Sequence, residues 1–334
     1  MNFVKRISEL KMFEDESKLN GVGESLMIDR GPQDYTWING SELTDSPMTP
    51  CQSISILYIV IYIVLLGSMQ FIAKALMQVY SASPFEILIF RSGIELLLSF
   101  VYFWYYELSI FDVESTKAQK LLSSSLIGFL ALTAHFVALQ NLPIGMTLAL
   151  GYLSYHFAQF FDSLLFSYVM RSFQILGYVT AFIGVLMLVY GKGSTRHIIG
   201  IILGLIGSLL FGLHSILVRQ IVTTVEPMLC FTYINLATAC FVTVLEFINY
   251  DNSIPNYTVF MWLLLLLVGV MGWGSNYVLT VIIQHERSVL RSYMFRYLIV
   301  VIASLFSIYL GELTVVSICG IGLIGVQFVV SMIN

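Results

Sequence analysis

The sequence predicts an all-α membrane protein with ten transmembrane helices arranged as two inverted five-helix repeats. Three observations carry this. Hydrophobic residues make up 58% of the 334 residues and charged residues only 11%, against about 25% charged in a soluble domain. Long stretches without a charge recur at 54–73, 121–144, 172–191, 227–245, 252–283 and 313–334. The chain also repeats itself: residues 126–185 align without a gap on 267–326.

The repeat is carried by identities. Leu126, Gly128, Val137, Tyr152, Ser163, Leu164, Tyr168, Ile183, Gly184 and Val185 fall on Leu267, Gly269, Val278, Tyr293, Ser304, Leu305, Tyr309, Ile324, Gly325 and Val326. Upstream, Gly67 and Lys74 match Gly212 and Arg219, and Pro84 precedes its segment as Pro227 does. Crossing about 30 Å of hydrocarbon takes about 20 helical residues. Backbone exposed to lipid must bond within its own helix, and runs such as Ile59–Gly67 lack the alternation of a barrel strand. Ten spans result, at 54–79, 85–106, 121–140, 144–168, 173–191, 198–218, 227–248, 258–281, 288–310 and 313–333. Five spans are an odd number, so the second copy enters the bilayer from the opposite side.

Three regions follow: a polar tail at 1–53, a first five-helix repeat at 54–191 and a second at 198–334. The tail holds nine acidic and five basic residues and no apolar run behind Lys5 and Arg6. It reads as a disordered cytosolic segment and not as a cleavable signal peptide. Lys117, Lys120, Arg171, Arg219, Arg287 and Arg291 fall on the tail's side of the membrane, and Lys192 and Arg196 on the other. The excess of Lys and Arg marks the cytosolic side, so both termini are expected there. Cys51, Cys230, Cys240 and Cys319 show no CxxC spacing and read as packing residues.

Ionisable groups inside a membrane span are costly and are candidate site residues by default. Arg91 and Glu95 stand one turn apart in span two. They are either a mutual ion pair that fixes packing, or a pair that opens to hold an anion or carry a proton. Span four carries Tyr152, Tyr155, His156, Gln159, Asp162 and Ser163 at helical spacing. That stripe lines either an interhelical network or the wall of a central pocket. The repeat sets Tyr293, Arg296 and Tyr297 of span nine against Tyr152, Tyr155 and His156. Arg296 suits a carboxylate or phosphate through its fork of donors, with Asp162 or Glu95 as its internal partner in the empty state. His135 and Asn276 are repeat equivalents in spans three and eight. Lys74 and Arg219 sit near span ends, where their heads are expected to snorkel to the headgroups.

Several local patterns resemble a known family. Leu66-Gly67-Ser68 is a small-residue motif in span one, and Phe90-Arg91-Ser92 places an arginine early in span two. Tyr309-Leu310-Gly311-Glu312 ends span nine, and Gly320, Gly322 and Gly325 stud span ten. With the five-plus-five repeat, these resemble the drug/metabolite transporter superfamily, its EamA-type repeats in particular. Arg291-Ser292-Tyr293 and Arg296-Tyr297 are most similar to the eukaryotic solute carrier family 35, subfamily G. The first half departs from the pattern, ending span four as Val169-Met170-Arg171 without the glutamate. The resemblance covers 54–334. It implies a secondary transporter for a small organic solute such as a metabolite, an amino acid or a nucleotide-linked sugar. Spans five and ten are expected at the periphery, joining the halves or making a homodimer contact.

No enzyme signature is present: no His-Glu-x-x-His, Gly-x-Ser-x-Gly, P-loop or Gly-x-Gly-x-x-Gly. No cofactor or metal is expected. A net charge of −4 with scattered basic residues argues against nucleic acid as a partner. The expected partners are a small-molecule substrate, anionic at one end, and the lipid bilayer. A different class of function stays open, a non-transporting subunit or regulator derived from a transporter.

Overall fold

The structure is a computed structural model. It describes residues 50–110, 113, 115–166, 172–190, 195–222, 225–248, 257–285 and 289–333. The side chains of Asp162, Arg219, Tyr293 and Arg296, all expected to matter, lie outside the described set. Ten helices lie in one unit, Pro47–Asn334. They are α1 (Pro50–Val79), α2 (Pro84–Tyr105), α3 (Ser115–Asn141), α4 (Ile144–Phe166) and α5 (Ser172–Tyr190), followed by α6 (Thr195–Val222), α7 (Pro227–Ile248), α8 (Val259–His285), α9 (Val289–Tyr309) and α10 (Val315–Ile333).

Each helix coincides with one expected span. The largest difference is at α3, which begins at Ser115 and so takes in Lys117 and Lys120, expected in a loop. Lys117, Ala118, Gln119 and Lys120 are good helix formers, which extend the helix beyond its apolar part. Within the described residues, six helices are long and apolar enough to cross a membrane: α1, α2, α3, α6, α7 and α8. Shorter apolar stretches lie in α5, α9 and α10. The polar stripe Tyr152, Tyr155, His156 and Gln159 dilutes the apolar run of α4. The chain is an integral multi-pass membrane protein, and its outer faces agree. Ile175, Leu176, Val179, Phe182, Ile183 and Leu186 on α5 are exposed, as are Leu263, Leu266, Leu267 and Val270 on α8. An apolar exterior of this extent needs lipid to cover it.

Local chemistry sets the helix ends. Ser83 caps α2, its Oγ accepting from Phe85 N at 3.2 Å while Ser83 N donates to Glu86 Oε2 at 2.8 Å, with Pro84 in the first turn. At the other end of α2, Leu108 N donates to Phe103 O at 2.9 Å around Glu107, whose φ is 53°. The end of α9 has the same form, with Glu312 N bonded to Ser307 O at 3.0 Å around Gly311 at φ 67°. Glycine enters this left-handed position without strain, so the Leu-Gly-Glu pattern is a helix stop.

Packing is directed by small residues. A Cβ on Gly184 of α5 would meet the carbonyl of Gly320 on α10, and one on Gly320 would meet the carbonyl of Gly184. The two backbones therefore touch. On α6, a Cβ at Gly212 would strike the backbone of Ser154 and Ala158 in α4. The principal neighbours of α6 are α3 and α4; those of α8 are α1 and α2; α2 also packs on α7, α4 on α9, and α5 on α10.

Lys74 corrects an expectation. It does not snorkel. Its Nζ is buried and donates to the carbonyls of Leu139 at 2.7 Å, Gln140 at 3.3 Å and Leu142 at 2.7 Å. The last carbonyls of α3 have no intrahelical donors, and the negative end of the helix dipole attracts the ammonium. A cation that meets three acceptors inside the protein gains nothing by reaching for water. Lys74→Met should leave those carbonyls without their cap at a cost of about 3 kcal/mol. The expected outcome is a lower thermal midpoint for the variant in detergent, read by circular dichroism; an unchanged midpoint would show the cap to be dispensable.

Candidate functional site

The middle of α2 carries the densest buried polar network among the described residues. Arg91 and Glu95 share one helical face, and both are buried, Glu95 to 0% exposure. Arg91 Nε donates to Glu95 Oε1 at 2.6 Å. The second oxygen, Oε2, accepts from Asn235 Nδ2 of α7 at 2.7 Å and from Asn276 Nδ2 of α8 at 3.0 Å. Three N–H groups from three helices thus surround the two oxygens of the carboxylate. The guanidinium lies over the ring of Phe136 on α3, 5.5 Å from its centroid. His135 precedes Phe136 on α3, their ring centroids 6.2 Å apart.

The two partners are satisfied unequally. Glu95 meets three N–H groups. Arg91 meets one carboxylate oxygen, through Nε, and its Nη1 is buried with no hydrogen-bond partner among the described residues. A buried donor without an acceptor costs about 1–3 kcal/mol, more when charged. Such a group in an otherwise bonded network marks a place for a further acceptor.

Gly272 makes room for the pair. A Cβ there would collide with Glu95 Oε1 and Arg91 Nε. Neither Gly272 nor Asn235 is singled out by sequence reasoning. The signal for Asn235 is a lone carboxamide in an uncharged span. For Gly272 it is a glycine one turn before Asn276, on the same helical face.

A second cluster lies between α4, α5, α9 and α10. The Tyr152 ring sits 5.1 Å from Tyr297, 6.1 Å from Tyr155 and 5.8 Å from His156, centroid to centroid. Tyr178 of α5 packs on His156 at 5.8 Å and donates its hydroxyl to the His156 carbonyl at 2.9 Å. Gln159 Nε2 donates to Tyr155 Oη at 2.6 Å, and Tyr297 Oη to Ile321 O at 3.0 Å. Tyr152, Tyr155, His156 and Tyr297 are all buried. The Tyr152 hydroxyl has no hydrogen-bond partner among the described residues.

The expected site residues therefore fall into two groups. Arg91, Glu95 and Asn276 come together, with His135 alongside. Tyr152, Tyr155, His156, Gln159 and Tyr297 come together elsewhere. Asp162, Tyr293 and Arg296 cannot be placed in either group, their side chains lying outside the described residues. Glu95 was one of two acids expected to pair with Arg296. Its oxygens instead lie against Arg91, Asn235 and Asn276, because Arg91 is one turn away on the same helix and both amides point at Oε2.

Compared with known proteins, no family model matches the chain and no curated protein matches it. A solved crystal structure, titled only as that of a protein, is similar in fold. It aligns at a TM-score of 0.60 over 84% of this chain and 97% of that one, with 14% sequence identity.

Removing one member of the pair strands the other in a low-dielectric interior. Glu95→Leu or Arg91→Met alone should cost about 3–5 kcal/mol, and the double variant less than either. Thermal unfolding of the four proteins in detergent is the measurement. A double variant as unstable as the sum of the single ones would mean that the pair is not coupled.

Proposed function

We propose that the chain is a secondary transporter of the drug/metabolite type, moving a small polar, anionic organic solute across a membrane by alternating access. The halves would be α1–α5 and α6–α10, related as inverted repeats. Their packing supports this reading. Exchanging the halves turns the α3–α6 contact into α8–α1, and α2–α8 into α7–α3, while α2–α7, α4–α9 and α5–α10 each map onto themselves. Contacts that survive this exchange are what a two-fold relation between halves produces. Orientation is proposed from the loop charges, with both termini in the cytosol.

The observation that carries the function is the Arg91–Glu95–Asn235–Asn276 network. It joins a helix of the first half to two of the second by charge-assisted bonds in the middle of the bundle. Two buried charges are a weak way to add stability, because desolvation offsets most of their attraction. Inside a membrane such groups mark solute or proton pathways. The aromatic cluster on α4 and α9 offers a second surface on which an organic solute can stack and bond through its hydroxyls. Arg296, the residue before Tyr297 in the chain, is the other cation proposed to meet substrate.

Uptake by proteoliposomes of a panel of labelled organic anions and neutral analogues is the test. At least one anion should accumulate, and Arg91→Gln should reduce its uptake at least tenfold. Arg296→Ala should abolish uptake. Protein that binds and moves no solute in the panel would favour the other reading, a regulator built on a transporter fold.

A further inference from the structure

We propose that Arg91 is a carboxylate-binding site whose resident counter-ion, Glu95, takes up one proton each time a substrate carboxylate binds. The inference deepens the transporter reading and rests on it for access, since the pair is enclosed in this structure. Its geometric basis is the uneven bonding of the pair. Glu95 is anchored through Oε2 by Asn235 and Asn276. Those two bonds do not involve Arg91. Only Oε1 touches the guanidinium, at Nε, while Nη1 is buried and has no acceptor among the described residues. Once the site opens, an incoming carboxylate can bond along the free edge of the fork, whose N–H groups match a planar two-oxygen anion, without Glu95 leaving its amides.

Charge balance then demands the proton. The empty site holds one cation and one carboxylate. With a second carboxylate it would carry a net negative charge away from water, which desolvation strongly disfavours. Few neighbouring groups can compensate. Next to Arg91 and Glu95 on α2, α3 presents His135. Asn235 is what α7 presents, while its acids Glu226 and Glu246 stand at its ends, near Tyr102 and Glu86. The network meets α8 through Asn276 and Gly272, neither of which titrates. Glu95 loses the attraction of Arg91 as the substrate takes it over, and two close carboxylates share a proton readily. The proton comes from bulk water with the substrate and binds Oε1, where it stays, and the resulting O–H donates a hydrogen bond to the nearer substrate oxygen. Site charge is unchanged: arginine with glutamate becomes arginine with substrate and a neutral glutamic acid. Glu95 is thus a coupling residue, and Arg91 the residue that contacts substrate.

Acetate, the smallest organic carboxylate with a methyl group, is the probe. It is titrated calorimetrically into the full-length protein in detergent, in buffers of different ionisation enthalpy, between about pH 6 and pH 8. Uptake of one proton per acetate is expected, with affinity rising about tenfold for each unit the pH falls. Glu95→Gln should bind acetate without taking up a proton and without pH dependence, because its counter-ion is already neutral. Proton-independent binding to the wild type, full proton uptake by Glu95→Gln, or no acetate binding at any pH would each overturn the proposal. The wild-type measurements decide it even if the variant does not fold. They are also separate from transport. Solute uptake by liposomes without proton-linked acetate binding would refute this site alone, and proton-linked binding without uptake of any solute would refute the transport reading alone.

Discussion

A carboxylate held in the middle of a membrane bundle must be surrounded by donors, and the arrangement of α2, α7 and α8 follows from surrounding Glu95. Its two oxygens take one N–H from its own helix, one from Asn235 and one from Asn276. Moving α7 or α8 outward by the length of a methyl group would break a charge-assisted bond with no water to replace it. The requirement reaches into the sequence at Gly272, where a side chain would occupy the space of the ion pair. One buried acid therefore sets two helix separations and the identity of three residues.

Elsewhere the bundle is held by close backbone contact. Lipid tails are as apolar as the helices, so burial of leucine against leucine drives little association inside the bilayer. The Gly184–Gly320 contact between α5 and α10, and Gly212 against α4, let backbones approach and gather dispersion energy. Lys74 adds a polar tie of a different kind, joining α1 to the open carbonyls at the end of α3.

Charge and aromatic surface are kept apart. The ion pair belongs to α2, α7 and α8, with Phe136 and His135 of α3 beside it. The tyrosine cluster belongs to α4, α5, α9 and α10. An organic anion has the same two parts, a charged end and an organic body. In the transport reading proposed above, a bundle that offers each part its own chemistry would discriminate by both, since an unpaired charge is penalised at one cluster and lost stacking at the other.

The helices themselves were legible in the chain, because hydrocarbon leaves a backbone no alternative and the charge-free runs mark where each one crosses. Pro84, Ser83, Gly311 and Pro227 act locally, so the ends of α2 and α9 and the start of α7 could be read as well. The pairing of Arg91 with Glu95 needed only helical spacing. Their further partners did not follow from spacing. Asn235 and Asn276 stand far along the chain from Glu95, and only the packing of three helices aims both amides at one oxygen. Lys74 looked like a headgroup anchor because its sequence neighbours place it near a span end; the carbonyls that hold it come from the end of another helix. The stripe on α4 was visible as a periodicity, but periodicity names a face and not what the face meets. Sequence alone determined which segments are helices and which polar residues needed partners. Tertiary structure chose the partners, because a hydrogen bond between helices depends on distances that no single helix contains.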